Sequence, residues 1–287
     1  MPQIPLFAVI GGSGLYAIPD LSEVEEHNIS TPYGEPSAPI LVGMLEGQPI
    51  AFLARHGIGH HISPTKVNYR ANIYALKKLG VEQVISVNAC GSLREDYKPG
   101  DIVIPNQLFD FTKKRDNTFF EDDLVAHIGS AEPFCARLSA RVLEEVQTTG
   151  ATVHPQGTFI TIEGPRFSTR LESNTFRAWG MDIVGMTTSP EAFLAREAEL
   201  CYAVVAHITD YDVWHKSEKP VTVEMVIKIL NKNTKFIKEV ICNLAKNSPG
   251  ERTCPCSSEL KDTLITNPSV ISAETRQKLA PLIAKYL

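Results

Sequence analysis

The chain has 287 residues, 43% of them hydrophobic and 21% charged, enough to bury a substantial core in one large domain or two small ones. Its formal net charge of −5 argues against a nucleic-acid binder that relies on broad phosphate contact. A small anionic substrate is not excluded, because a few local cations suffice to hold one.

The opening segment "MPQIPLFAVIGGSG" lacks the basic start and long apolar stretch of a signal peptide. No apolar run approaches the roughly 20 residues that span a bilayer. A cytoplasmic protein without membrane contact is therefore expected. Within this segment "LFAVI" (6–10) reads as a strand feeding the turn "GGSG" (11–14). Such a loop can present backbone N–H groups and a hydroxyl to a phosphate. It fits neither G-x-x-x-x-G-K-[ST] nor G-x-G-x-x-G, which disfavours an ATPase or a dinucleotide enzyme.

Residues 38–57 read as a hairpin with its bend at "EGQ", ending in "ARHGIGHH" (54–61). Arg55 offers a permanent cation with a bidentate fork, although a surface ion pair is the plainer role. His56, His60 and His61 could suggest a metal. Glycines at 57 and 59 break the helical spacing such a site needs, and no Glu stands between the histidines. A helix is predicted over 68–80. "QVISVNACG" (83–91) follows as a buried strand ending in small residues, where a flat ligand can approach the backbone. Cys90 there reads as a small buried hydrophobe rather than a nucleophile.

A strand is predicted at 100–105, a helix at 132–148, a strand and loop at 157–168, and a helix at 169–180. The loop carries Glu163, Arg166 and Phe167. The phenyl ring suits either stacking on a flat ring or core packing. "MDIVGMTT" (181–188) is a short strand bringing Met186 and Thr187 to its end, followed by the helix "PEAFLAREAE". The apolar run "CYAVVAHITD" (201–210) continues into "YDVW". Asp210 and Asp212, two apart in an extended segment, should project to one side beyond the strand end. A polar loop is the bland reading; a carboxylate pair holding a ligand's donors is the sharp one.

A long amphipathic helix is predicted over 221–245, with Val223, Val226, Ile227, Leu230, Ile237, Val240, Ile241 and Leu244 on one face. A break rich in Pro, Gly and Ser follows at 246–258, then a short segment with some helical pattern. The division is a main domain over 1–245 and a C-terminal extension over 246–287. Six cysteines do not make a disulfide scaffold in a chain of this length. Cys90, Cys135, Cys201 and Cys242 are scattered, and Cys254 and Cys256 form "CPC". That is not the paired CxxC pattern of zinc, no second pair completes it, and no metal is expected.

Strands alternating with helices give an α/β fold. Five loops carry polar groups where apolar strands end, as in one composite site. In order, "GGSGLY", "RHGIGH", "VNACGSLRED", "TIEGPRFSTR", "MTTSPEAFLAREAELCYA" and "TDYDVW" resemble the motifs of the trimeric purine nucleoside phosphorylase family over residues 5–245. The likeness is closest to the branch acting on 5′-methylthioadenosine. It implies a single-domain phosphorylase-type fold with a central mixed β-sheet flanked by helices, and a homotrimer or dimer of trimers. A purine nucleoside and inorganic phosphate would be co-substrates, with no cofactor.

The resemblance places Ser13, Arg55, His56 and Thr187 at the phosphate and Met186 under the ribose. Ala89, Cys90, Gly91 and Phe167 match positions beside the base, and Asp210 and Asp212 match those that read it. His127, Val223, Val226 and Ile227 match positions around the 5′ group. A carboxylate can accept from adenine N6, and a protonated one can donate to N7, a role the match gives to Asp210. One aspartate of the pair should then carry a raised pKa, through burial and its neighbour's charge. Two departures stand out: Gly185 where relatives carry asparagine before Met-Thr, and Ser13 where threonine is frequent. The "CPC" tail resembles extensions that accompany disulfides in members from hot environments. The alternatives are a 6-oxopurine phosphorylase, in which asparagine commonly replaces one aspartate, and a non-catalytic purine-binding protein.

Overall fold

The computed structural model describes residues 4–11, 21–215, 223–247 and 251–287, with side chains of 223–233 outside the description. The first strand, β1 (Phe7–Gly11), is apolar and buried at every position. It lies parallel between β4 (Gln48–Ala54) and β5 (Gln83–Ser92). β3 (Ile40–Leu45) pairs antiparallel with β4 as the expected hairpin. Its two-residue turn puts Glu46 and Gly47 at φ 49° and 75°, the left-handed pair that a tight hairpin needs. β2 (Ser22–His27), absent from the sequence reading, closes this edge on β3. It is exposed along most of its length, so it lacks the apolar alternation that marks a strand.

β5 carries the junction of the sheet. Residues 84–86 pair with β1, and Gly91 and Ser92 pair antiparallel with β10 (Ile183–Gly185). β11 (Cys201–Asp210) runs parallel to β5 from Gln83 to Gly91. Beyond β10 come β9 (Thr158–Ile162) and β7 (Gln107–Phe111), both parallel. β11 pairs in turn with β6 (Ile102–Val103), and β6 with β8 (Val153–His154). The sheet is therefore mixed, as predicted. All ten residues of β11 are buried, the mark of a central parallel strand covered on both faces.

Helices cover those faces. α1 (Tyr69–Lys78) starts where the Asn68 side chain accepts from the Ala71 amide, and the chain leaves it through Gly80 at φ 86°. α2 (Ala136–Thr148) begins four residues later than predicted, with Cys135 as its cap. α3 (Arg170–Ala178) opens on a reciprocal Thr169–Glu172 capping box. α4 is Thr188–Glu197 and α5 is Val223–Lys246. One apolar layer joins Ile73, Leu76, Leu194 and Ile208; the other joins Leu138, Val142, Ile237, Val240 and Leu244. The tail is not a separate body. Leu260, Ile271 and, from α6 (Ala273–Ile283), Leu279 and Leu282 join the first layer. No helix of the described residues is long and apolar enough to cross a membrane.

Candidate active site

The ends of β4, β5, β10 and β11 surround a cavity of about 490 Å³. Arg55, His56, Ala89, Cys90, Gly91, Phe167, Met186, Thr187, Asp210 and Asp212, all singled out in the sequence, line it. Ser13 lies outside the described residues, as do the side chains of Val223, Val226 and Ile227 on α5. His127 is exposed and is not among the lining residues. Its backbone amide instead donates to the Thr263 carbonyl of the tail.

Arg55 is fully buried and mostly committed within the protein. Nε and Nη2 donate to the Glu191 carboxylate at 2.7 and 2.9 Å, Nη2 also to Ser86 Oγ at 2.6 Å, and Nη1 to the Val87 carbonyl at 3.1 Å. One Nη1 N–H is left for a ligand. Burial disfavours the guanidinium, but the Glu191 charge and hydrogen bond, with Tyr202 and Tyr69 nearby, together outweigh it and the pKa is raised. The expected ligand arginine is therefore also the centre of a buried ion pair.

The His56 ring donates through Nδ1 to the Ile62 carbonyl at 2.8 Å, since a carbonyl can only accept. Burial, helped by the Arg55 charge, lowers its pKa to about 4. The ring is neutral at physiological pH, with an acceptor at Nε2. Thr187, the residue before α4, donates its hydroxyl to Asn88 Oδ1 at 2.8 Å.

Asp210 and Asp212 meet around Gly91. A Cβ on that glycine would stand 3.0 Å from Asp210 Oδ1 and 3.2 Å from Asp212 Cβ. The reason differs from simple strand parity. β11 ends at Asp210 after a register shift, and Asp212 sits in a turn at φ 50°. The turn folds the Asp212 amide back to donate to Asp210 Oδ1 at 2.8 Å, while Thr209 Oγ donates to Oδ2 at 2.6 Å. Burial raises the Asp210 pKa to about 6, against those two hydrogen bonds and with a smaller push from the Asp212 charge. Burial raises Asp212 as well, partly offset by the hydroxyls of Ser173 and Ser168. Both carboxyls are thus shifted, where one was expected. Asp212 Oδ2 makes no hydrogen bond of ordinary geometry within the described protein.

The remaining lining divides between expected and missed groups. Phe167 is 40% exposed at the cavity, so its ring is available for stacking rather than spent in the core. Glu163 and Arg166 do not line it. Glu163 accepts from the Lys113 and Lys114 amides, and Arg166 pairs with Glu172. Gly185 is fixed by space: a Cβ there would come within 2.6 Å of the Phe159 ring. Cys90 is buried, and burial pushes its thiol well above its ordinary value, so it is no nucleophile. Asn88, His207 and Thr209 line the cavity and were missed. Ser86 and Asn88, polar and two apart in an otherwise apolar strand, were the available signal. His207 is neutral, held near a pKa of about 4 by burial.

The groups are ordered along β5. Arg55 sits at Ser86 and Val87, Thr187 at Asn88, and the carboxyl pair at Gly91. From Val87 to Gly91 an extended strand covers about 13 Å. Cationic and hydroxyl donors therefore stand at one end of the cavity and a buried carboxyl pair at the other. The phosphorylase superfamily model matches residues 6–246, and the chain belongs to that superfamily.

The S-methyl-5′-thioadenosine phosphorylase of Geobacter sulfurreducens is 50% identical over 283 residues, covering 98% of this chain and 99% of that one. The one from Hyperthermus butylicus is 53% identical over 262 residues, 90% and 95% of the two chains. Among solved structures, a methylthioadenosine phosphorylase from an antarctic soil metagenomic library superposes with a TM-score of 0.90 at 42% identity, covering 98% of this chain and 99% of that one. The Schistosoma mansoni enzyme in complex with adenine gives 0.83 at 38% identity, covering 87% and 93%.

Proposed function

We propose that the protein cleaves 5′-methylthioadenosine with phosphate, releasing adenine and 5-methylthioribose 1-phosphate in purine and methionine salvage. The observation that carries this is the buried Asp210–Asp212 pair, with one carboxyl protonatable near neutrality and the other with an unspent oxygen. Adenine presents the matching groups, an N6 donor and an N7 acceptor. Asp210 in its acid form donates to N7, and Asp212 accepts from N6. Phosphate at the Arg55–His56–Thr187 end attacks C1′ as the glycosidic bond loosens, and its negative charge stabilises the cationic sugar. Adenine leaves as N7 takes the Asp210 proton; such acid assistance contributes about 10²–10⁴-fold. Neutral His56 suits a protonated phosphate oxygen, which donates to Nε2. Inorganic phosphate is the co-substrate, and no cofactor enters this scheme.

The assembly proposed is a homotrimer or dimer of trimers in the cytoplasm. Support comes from His127, which matches a position at the 5′ group yet is absent from the lining of its own chain's cavity. A neighbouring copy would have to supply it.

The test is adenine release from methylthioadenosine with and without phosphate, beside adenosine and methylthioinosine. Release is expected only with phosphate. Methylthioadenosine should exceed adenosine by roughly 1–3 kcal/mol in apparent specificity, the worth of one small apolar group in a fitted pocket. Equal kcat/KM for methylthioinosine would favour a 6-oxopurine enzyme. Binding without phosphate-dependent release would favour a purine-binding protein.

A further inference from the structure

Cys135, Cys201, Cys254 and Cys256 bring their four sulfurs within 4.8 Å of one another. No two neighbours in sequence announce this beyond "CPC". Cys135 caps α2, Cys201 opens β11, and the other pair begins the described tail. The fold thus supplies the second pair that the sequence seemed to lack. Three of the four are buried, and the set sits in the apolar layer with Leu138, Val142 and Leu244. Cys201 and Cys254 Sγ lie 3.3 Å apart. A tetrahedral zinc site with Zn–S bonds of about 2.3 Å holds its sulfurs about 3.8 Å apart, so the cluster is near that size already.

The surroundings suit thiolates. The Leu138 amide at the start of α2 donates to Cys135 Sγ at 3.5 Å. The Arg137 guanidinium lies beside Cys254 and Cys201. An amide and a cation next to the sulfurs are the partners that orient and neutralise a thiolate metal centre. Among the described residues no carboxylate or histidine joins the cluster, and an all-sulfur set selects soft, zinc-class cations over magnesium or calcium.

We propose that these four cysteines bind one zinc-class divalent cation as a tetrathiolate, fastening the tail to α2 and β11. On binding, four S–H groups release their protons to solvent and four sulfur–metal bonds form; nothing is oxidised or reduced. The competing arrangement, two disulfides, requires an oxidant to remove four electrons from the same thiols.

The experiment counts metal and thiols on one sample. The full chain is expressed with zinc and purified without chelator or reductant. Metal is measured by elemental mass spectrometry, and thiols after unfolding in denaturant with chelator. One zinc per chain and six thiols, every cysteine of the sequence, are expected. Metal-free protein overturns the proposal at any thiol count, and a count of two identifies disulfides in the cluster. Cobalt(II) bound in place of zinc should give thiolate charge-transfer absorption, and its absence from a fully loaded protein also overturns the proposal. Cys256→Ser should lower metal retention at least tenfold, and full retention counts against it. If that variant does not fold, the counts on the unmodified chain still decide.

Discussion

β11 begins among four thiols at Cys201 and ends among the cavity groups at Asp210, about 30 Å away along an extended strand of ten residues. The two ends are built by opposite rules. At the first, the four sulfurs partner one another in an apolar layer, with Arg137 and the Leu138 amide beside them. At the second, His207 Nδ1 is buried without a hydrogen bond in the described protein, Asp212 Oδ2 has none of ordinary geometry, and two carboxyls sit near each other against their ionisation preference. The same strand therefore runs from a self-partnered thiol cluster to uncompensated polarity. The unsatisfied end is where a ligand's donors would be worth most, because each group already bears its desolvation cost.

Between the ends stands Glu191, which accepts from Arg55, from Ser86 and from the Tyr202 hydroxyl at 2.7 Å. Glu191→Ala is the change with the largest expected effect, because it strands a buried guanidinium. A loss of about 3–5 kcal/mol is expected from urea unfolding midpoints, enough to erase the contrast between the ends. A loss under 1 kcal/mol would mean that water reaches Arg55.

Asp210→Asn should instead sharpen the contrast. The amide keeps the shape and can still donate to N7, but it cannot deliver a proton there. A fall in kcat for methylthioadenosine of about 10²-fold or more is expected, with relative use of methylthioinosine improved. Near-normal kcat with an unchanged substrate ratio sinks the assignment of Asp210 as the acid.

The same substitution should move stability the other way. Asp210 has a pKa raised to about 6 from an ordinary 3.8, so the folded protein binds more protons than the unfolded chain between those values. This carboxyl's contribution to stability falls as pH rises from about 4 through 6, and it is destabilising at neutral pH. Asn, which cannot ionise, should therefore raise stability at pH 7.5 by about 1–3 kcal/mol and remove that part of the pH slope. Denaturation of both proteins at pH 4.5 and 7.5 measures it, and parallel pH profiles would contradict it. In the same direction, kcat/KM of the wild type should decline above about pH 6 as the free enzyme loses its acid.

The smallest effect belongs to the start of α3, beside the cavity end. Thr169→Ala removes the capping box of α3 and should cost about 1 kcal/mol. Ser173 on α3 lies by Asp212, so a shift in KM larger than twofold would show that the helix start also sets the carboxylate's position.

The sequence revealed most where burial and period agree. β1, β5 and β11 are apolar runs that terminate in polar or small residues, which made the strands legible, while the roles of the cavity residues came from the family resemblance. β2 was invisible because an exposed edge strand carries no apolar face, and β8 because two residues set no period. His207 was lost inside an apolar run. The convergence of Asp210 and Asp212 was anticipated for an insufficient reason, since a left-handed residue rather than strand parity produces it. The thiol cluster depends on three distant segments meeting, which no local pattern encodes.

The Arg55 network has a consequence for how the protein acquires its ligand. Its acceptors come from β1, β5 and α4, through Ile10, Ser86, Val87 and Glu191. A chain in which any of these is undocked cannot hold the guanidinium in place. An oxyanion that binds beside Arg55 therefore recognises only the completed sheet, and its binding free energy is added in full to the native state. Phosphate would then act on this protein as a folding ligand, raising the melting temperature with the logarithm of its concentration.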